Sequence, residues 1–219
     1  MTGIDITGQR FGRLVAMKLI PKEERTWSNK ERAWLCKCDC GNEVIVRQRN
    51  LRGARMTQSC GCVRKIEAFI ATNGVHGIER EYLESFNDFD KFLFIHKAIR
   101  SIVGIELLSK EQYKEYINYF YFDSQFNMIY DFWKKQEKNN TFYDWAKPSL
   151  DHIIPWSRGG RNEKENLHFL TVFENLAKRD MTLDEWTAFK IKTNTTSDYF
   201  VERIKEVMSN EDWVSRFLT

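Results

Sequence analysis

Cysteine placement constrains this chain more than any other feature. All five cysteines, Cys36, Cys38, Cys40, Cys60 and Cys62, fall within 27 residues, and the other 192 of the 219 positions contain none. Cysteines recruited singly as small core residues do not cluster in this way. Four of them form two matched knuckles, Cys38-x-Cys40-Gly and Cys60-Gly-Cys62, with 19 residues between. The glycines permit the tight turns that point paired thiols in one direction. A hairpin of that length brings four sulfurs around one tetrahedral ion, and a four-thiolate set suits Zn²⁺. The odd count argues against a disulfide framework. Cys36 lacks a flanking glycine and reads as an inward-facing apolar residue. It is the substitute ligand if one of the four fails to reach.

Around the knuckles, GQRFGRLVAMKLI reads as one strand, WLCKCDCG as a second that ends in a knuckle, and NEVIVRQRNL as an alternating third. Residues 1–65 thus form a β-rich module, too small to be stable on its own apolar surface and stapled by its ion. The module is also the basic end. Up to Lys65, 14 of the 34 Lys and Arg stand against 6 of the 31 Asp and Glu, a balance of +8 in a chain of net +3. Such a front favours a polyanion partner such as DNA. No apolar run reaches the roughly 20 residues of a membrane helix. The start MTGIDITG has neither a basic n-region nor an apolar h-region, so the expectation is a cytoplasmic protein with no membrane partner.

Residues 66–145 read as a helical, aromatic-rich middle region. In FNDFDKFLFIHKAIRSIVG, Phe89, Phe92, Leu93 and His96 fall on neighbouring turns, and in SQFNMIYDFWKKQEK, Phe126, Ile129, Tyr130 and Trp133 do the same. Between them a capping box, Ser109 with Gln112, opens a helix bearing Tyr113, Tyr116, Ile117 and Phe120. These stripes predict core packing, with DNA stacking as the competing use. His76 and His96 have no ligand-spaced neighbour and read as structural or surface histidines. Residues 182–219 form a helical tail that opens on a second capping box, Thr182 with Glu185. The tail ends in an amphipathic stretch carrying Phe200, Ile204 and Met208.

The chemistry concentrates in residues 146–181. Within SLDHIIPWSRGGRNEKENLHFLTVFENLAKRDM, LDHII predicts a strand, PWSRGGRNEKE a loop with two glycines, NLHFLT a second strand and VFENLAKRD a helix. A hairpin folded on one helix can converge Asp151, His152 and Asn175 on a single cation. Asp151 and Asn175 offer oxygen ligands suited to Mg²⁺ or Mn²⁺ and ill suited to a soft metal. His152 is the candidate base, since a free imidazole with a pKa near ~6.5 is largely neutral at pH 7 and can take a proton from water. Phosphodiester hydrolysis needs those two things, a hard cation and a base.

Asp151-His152, then Asn166, then Asn175 resemble the signature of the HNH, or His-Me finger, endonucleases, with asparagine in the third position. PSLDHIIP, the GG loop, ENL and FENLAKRDMT resemble the phage and bacterial members, and GQRFGRLV, CKCDCGN and SCGC resemble a zinc-ribbon-like segment of phage-type HNH proteins. The resemblance covers about 100 of the 219 residues. It implies that His152 is the general base, that Asp151 and Asn175 hold the divalent metal, and that Asn166 braces the loop behind the His ring. It further implies Arg158, Arg161 and Lys178 as phosphate contacts, and 5′-phosphate and 3′-hydroxyl products. His168, on the strand face of Asn166, is either a supporting group or a partly buried structural histidine. The expected class is α+β: a ββα-metal finger with an N-terminal zinc ribbon and additional helices. The expected activity is Mg²⁺- or Mn²⁺-dependent cleavage of double-stranded DNA, with Zn²⁺ as structural ion. The competing reading is a non-catalytic DNA-binding or regulatory protein on a degenerate finger. One site cuts one strand, so double-strand cleavage calls for a homodimer or two successive nicks.

Overall fold

The computed structural model describes residues 4–27, 29–52, 56–73, 77–136 and 142–195. His76 and the tail segment carrying Phe200, Ile204 and Met208 lie outside them. The chain mixes helices and strands and divides into two compact units, Met1–Phe92 and Leu93–Thr219.

The first unit is built on a four-stranded antiparallel sheet in the order β1 (Arg10–Phe11), β2 (Leu14–Leu19), β3 (Ala33–Cys38), β4 (Glu43–Arg47). The segment expected as one first strand is two, because Gly12 turns the chain at a φ of 59°. A side chain there is impossible without movement, since a Cβ would lie 2.7 Å from that of Gln58. The third expected strand stops at Arg47 and continues as the short helix α1 (Gln48–Arg52). Alternation along β2 and β3 turns Leu14, Ala16, Trp34 and Cys36 inward, where they pack with Ile6, Val46 and Leu51. Helix α2 (Cys62–Asn73) begins on a knuckle cysteine and runs past residue 65. Beyond the short helix α3 (Arg80–Glu84), Phe69, Phe86, Phe89 and Phe92 form a second, aromatic core, with ring centroids 4.9 to 6.1 Å apart.

Helix α4 (Phe89–Ile102) carries the chain into the second unit, followed by α5 (Lys110–Tyr121), α6 (Ser124–Lys135) and α7 (Phe142–Ala146). Then come β5 (Pro148–His152), β6 (Leu167–Thr171), α8 (Val172–Lys178) and α9 (Leu183–Lys192). Both capping boxes read from sequence are formed. Ser109 Oγ accepts from the Gln112 N–H and Thr182 Oγ1 from that of Glu185, with each partner side chain accepting in return. The expected core stripes on α5 and α6 are buried: Tyr113, Tyr116, Ile117, Phe120, Phe126, Ile129 and Tyr130.

What positions the site is the two-faced ribbon of β5 and β6. The register sets Leu150 opposite Phe169 on one face, and Ser149 opposite Leu170 and Asp151 opposite His168 on the other. The first face is apolar. Phe169 is fully buried, with its ring 4.4 Å from Phe126, 5.3 Å from Phe120 and 6.4 Å from Phe94 between centroids. Helices α4, α5 and α6 are therefore the wall on which the ribbon is mounted, and burying a Phe in such a wall stabilises by about 1.5–3 kcal/mol. The second face is covered by α8. Thr171 is at once the last residue of β6 and the N-cap of α8, its side chain accepting from the Glu174 N–H while the Glu174 carboxylate receives the Thr171 hydroxyl. Phe173 and Ala177 on the outer side of α8 pack against Trp186 of α9.

Candidate active site and metal centre

The two knuckles do come together. The sulfurs of Cys38, Cys40, Cys60 and Cys62 all lie within 4.8 Å of one another, with Cys38 and Cys62 at 3.8 Å and Cys40 and Cys60 at 3.3 Å. A tetrahedron of sulfurs at ~2.3 Å from a central Zn²⁺ has edges of about 3.8 Å, so the set fits a metal of that size. Gly41 at φ 87° and Gly61 at φ 104° make the turns that aim each pair. Burial works against the Cys38 thiolate, but hydrogen bonds from the Cys40 and Cys60 backbone and from neighbouring thiols bring its pKa down to about 7. Burial and the neighbouring thiols push Cys62 up, and burial raises Cys40. Four sulfurs this close cannot all be anionic unless a cation shares the space. Cys36 is outside the group, with Sγ 3.6 Å from the Trp34 carbonyl and its thiol pushed up to about 11 by burial.

In the second unit, α8 lies along β5 so that residues three apart on the helix meet residues two apart on the strand. Asn175 Nδ2 donates to Ser149 Oγ at 2.8 Å, and Lys178 Nζ lies 2.8 Å from Asp151 Oδ2. The same ammonium donates to the His152 carbonyl at 2.9 Å. Lys178 is completely buried, so its charge is spent inside the unit; the surface phosphate contact expected of it is not available to a side chain without exposure. His168 Nε2 stands 3.6 Å from the same Asp151 oxygen. Burial disfavours the Asp151 carboxylate, but the His168 ring and the Lys178 ammonium outweigh it and hold the pKa below the usual carboxylate value.

Asp151 and His152, being consecutive on a strand, start toward opposite faces. The His152 ring is met from the loop, where its Nε2 is 2.8 Å from Asn162 Oδ1. Asn166 clamps that loop. Its Oδ1 accepts from the Ile154 N–H at 2.9 Å, and its Nδ2 donates to the carbonyls of Ile154 at 3.1 Å and Arg161 at 2.9 Å. Gly160 makes the clamp possible, since a Cβ there would sit 1.7 Å from the Ile154 oxygen. Arg158 forms an ion pair with Glu185, whose carboxyl it holds at about 2, and Arg161 is 81% exposed, 4.0 Å from Glu163. Three features escaped the sequence reading: Asn162, the burial of Lys178, and Trp156, which is 66% exposed with its ring centroid 6.4 Å from that of His152.

The donor chemistry of the two places differs. The cysteine group offers four soft thiolates. Asp151 and Asn175 offer one carboxylate and one amide oxygen, hard donors by type, and the carboxylate is shared with an ammonium. No helix among the described residues is long and apolar enough to cross a membrane. No curated protein and no solved structure matches the chain. Residues 137–171, which span the ribbon from before β5 to the last residue of β6, match the family model HNH endonuclease.

Proposed function

We propose that the protein is a metal-dependent endonuclease that hydrolyses phosphodiester bonds in duplex DNA. His152 is the general base and takes a proton from the attacking water. Asp151 and Asn175 would hold a Mg²⁺ or Mn²⁺ ion, which when bound neutralises charge developing on the phosphate oxygens. Lys178 orients the carboxylate and fixes the His152 peptide, while Asn166 keeps the GG loop closed behind the imidazole. The observation that carries this reading is the bridging ammonium of Lys178, which pairs with the Asp151 carboxylate and donates to the His152 carbonyl, two consecutive residues of the segment that matches the HNH model.

Zn²⁺ in the Cys38, Cys40, Cys60 and Cys62 group staples the basic N-terminal module. That module is proposed to grip the DNA backbone, with Arg158 and Arg161 near the cut. Exposed Trp156 beside the base offers an apolar plate to a nucleotide or a base step. The test is cleavage of supercoiled plasmid by wild type and His152→Ala, each with Mg²⁺ and with EDTA. Cutting that needs both Mg²⁺ and His152 is the expected result, and the ratio of nicked to linear product separates one-strand from two-strand action. DNA retention with no cleavage by either protein would instead establish a binding module on a degenerate finger.

A further inference from the structure

We infer that Asn162 sets the tautomer of His152 and thereby selects Nδ1 as the ring nitrogen that accepts the proton. The inference rests on His152 acting as the base. Asn162 lies in the loop between β5 and β6, and its amide is fixed from the side opposite the histidine. Nδ2 is 2.9 Å from the carbonyl oxygen of Ile102, the last residue of α4. A carbonyl can only accept, so the nitrogen end of the amide must face it. The atom 2.8 Å from His152 Nε2 is then Oδ1. An amide oxygen also can only accept, so Nε2 carries the hydrogen, and the lone pair of the neutral ring is on Nδ1.

A freely turning amide would impose no such choice, because its nitrogen end would favour the opposite tautomer. The Ile102 carbonyl removes that freedom. Tyr116 adds a third restraint, its hydroxyl donating to the Asn162 main-chain oxygen at 2.6 Å. Both anchors come from the helical wall rather than from the hairpin, so α4 and α5 reach the chemistry through this one side chain. Asn162 is a positioning residue: it acts on the imidazole and on no substrate atom.

The experiment uses the full chain with ¹⁵N-labelled histidine, and long-range ¹H–¹⁵N correlations at pH about 8, where free imidazole is neutral. The chain has four histidines, and His152→Gln identifies the relevant signals by their loss. Wild type is expected to show Nε2–H. Asn162→Leu is expected to show a mixture of tautomers, while the signals of His96, which bonds Tyr113 at 2.9 Å, stay in place as the check on folding. Asn162→Asp gives up the donor to Ile102 but leaves only acceptor oxygens to face Nε2, and is expected to retain Nε2–H; it decides the matter if Asn162→Leu does not fold. An Nδ1–H wild type, or an unaltered tautomer in Asn162→Leu, would overturn the assignment. In the cleavage assay, Asn162→Leu is expected to lower kcat with KM unchanged, in proportion to the share of chains in the other tautomer. A wild type that shows Nε2–H and cuts no DNA would overturn the base role and leave the tautomer assignment standing, so the two failures are distinguishable.

Discussion

The cysteine group and the proposed metal place at Asp151 and Asn175 are built on opposite principles. The cysteine group is complete: four identical soft ligands, mostly buried, on two turns that already aim at a common centre. The ribbon and α8 offer far less, one carboxylate and one amide, and the carboxylate is already balanced by a buried lysine. A closed set of four can hold an ion permanently and spend the binding energy on folding. A set of two, half neutralised by its own protein, would need further oxygen ligands, such as those of a phosphate, to hold a cation firmly. The first arrangement is what a structural site requires, and the second is what a site that must admit substrate requires.

The largest effect that would break this contrast is loss of the first ion. Cys60→Ser, or a strong chelator, is expected to unfold the N-terminal unit, because structural zinc is worth on the order of 10 kcal/mol in small modules. Elemental analysis that finds no zinc, or hydrogen exchange showing β2 and β3 still protected in the variant, would equate the two places. Next comes Lys178→Met, which leaves the Asp151 carboxylate buried without its counter-charge. A destabilisation of about 3–5 kcal/mol by denaturant melting is expected, and adding Asp151→Asn should recover much of it. His152→Ala comes third and separates activity from stability: a rate loss of 10²- to 10⁴-fold is expected for removing a base, with Tm unchanged.

A fourth, smaller effect concerns acid. The Asp151 carboxyl titrates lower in the folded protein than in the unfolded chain. Its contribution to stability is therefore full above pH ~4 and is lost as the pH falls through the depressed folded value. Asp151→Asn should flatten the acid limb of stability measured between about pH 5 and pH 2. The smallest effect belongs to the exposed Arg158 and Glu185 pair, where Glu185→Gln should leave Tm within error at moderate salt, since such pairs are screened.

What could be read from the sequence was what is decided locally. The capping boxes at Ser109 and Thr182 involve residues three apart, the hairpin announced itself by strand, GG loop and strand, and the knuckles are each three residues long. What could not be read depends on distant partners. Asn162 owes its orientation to Ile102 and Tyr116, 60 and 46 residues away, and nothing in RGGRNEKE distinguishes it from a loop asparagine. Lys178 was legible as a position but not as an interior charge, because lysine is almost never fully buried unless it is paired. The split of the first strand at Gly12 was set by the approach of Gln58, which no alternation of apolar residues could signal.

The junction at Thr171 has a consequence for how this protein can change. Strand and helix share that residue with no linker between them. One residue inserted after Thr171 would rotate α8 by about 100° about its axis, carrying Asn175 and Lys178 away from Ser149 and Asp151 together. The loop at the far end of the ribbon is held in length as well, since Asn166 reaches back across it to the Arg161 carbonyl. Variation in length should therefore be excluded at the joint, which makes the spacing from Leu167 to Lys178 an inelastic interval of the site.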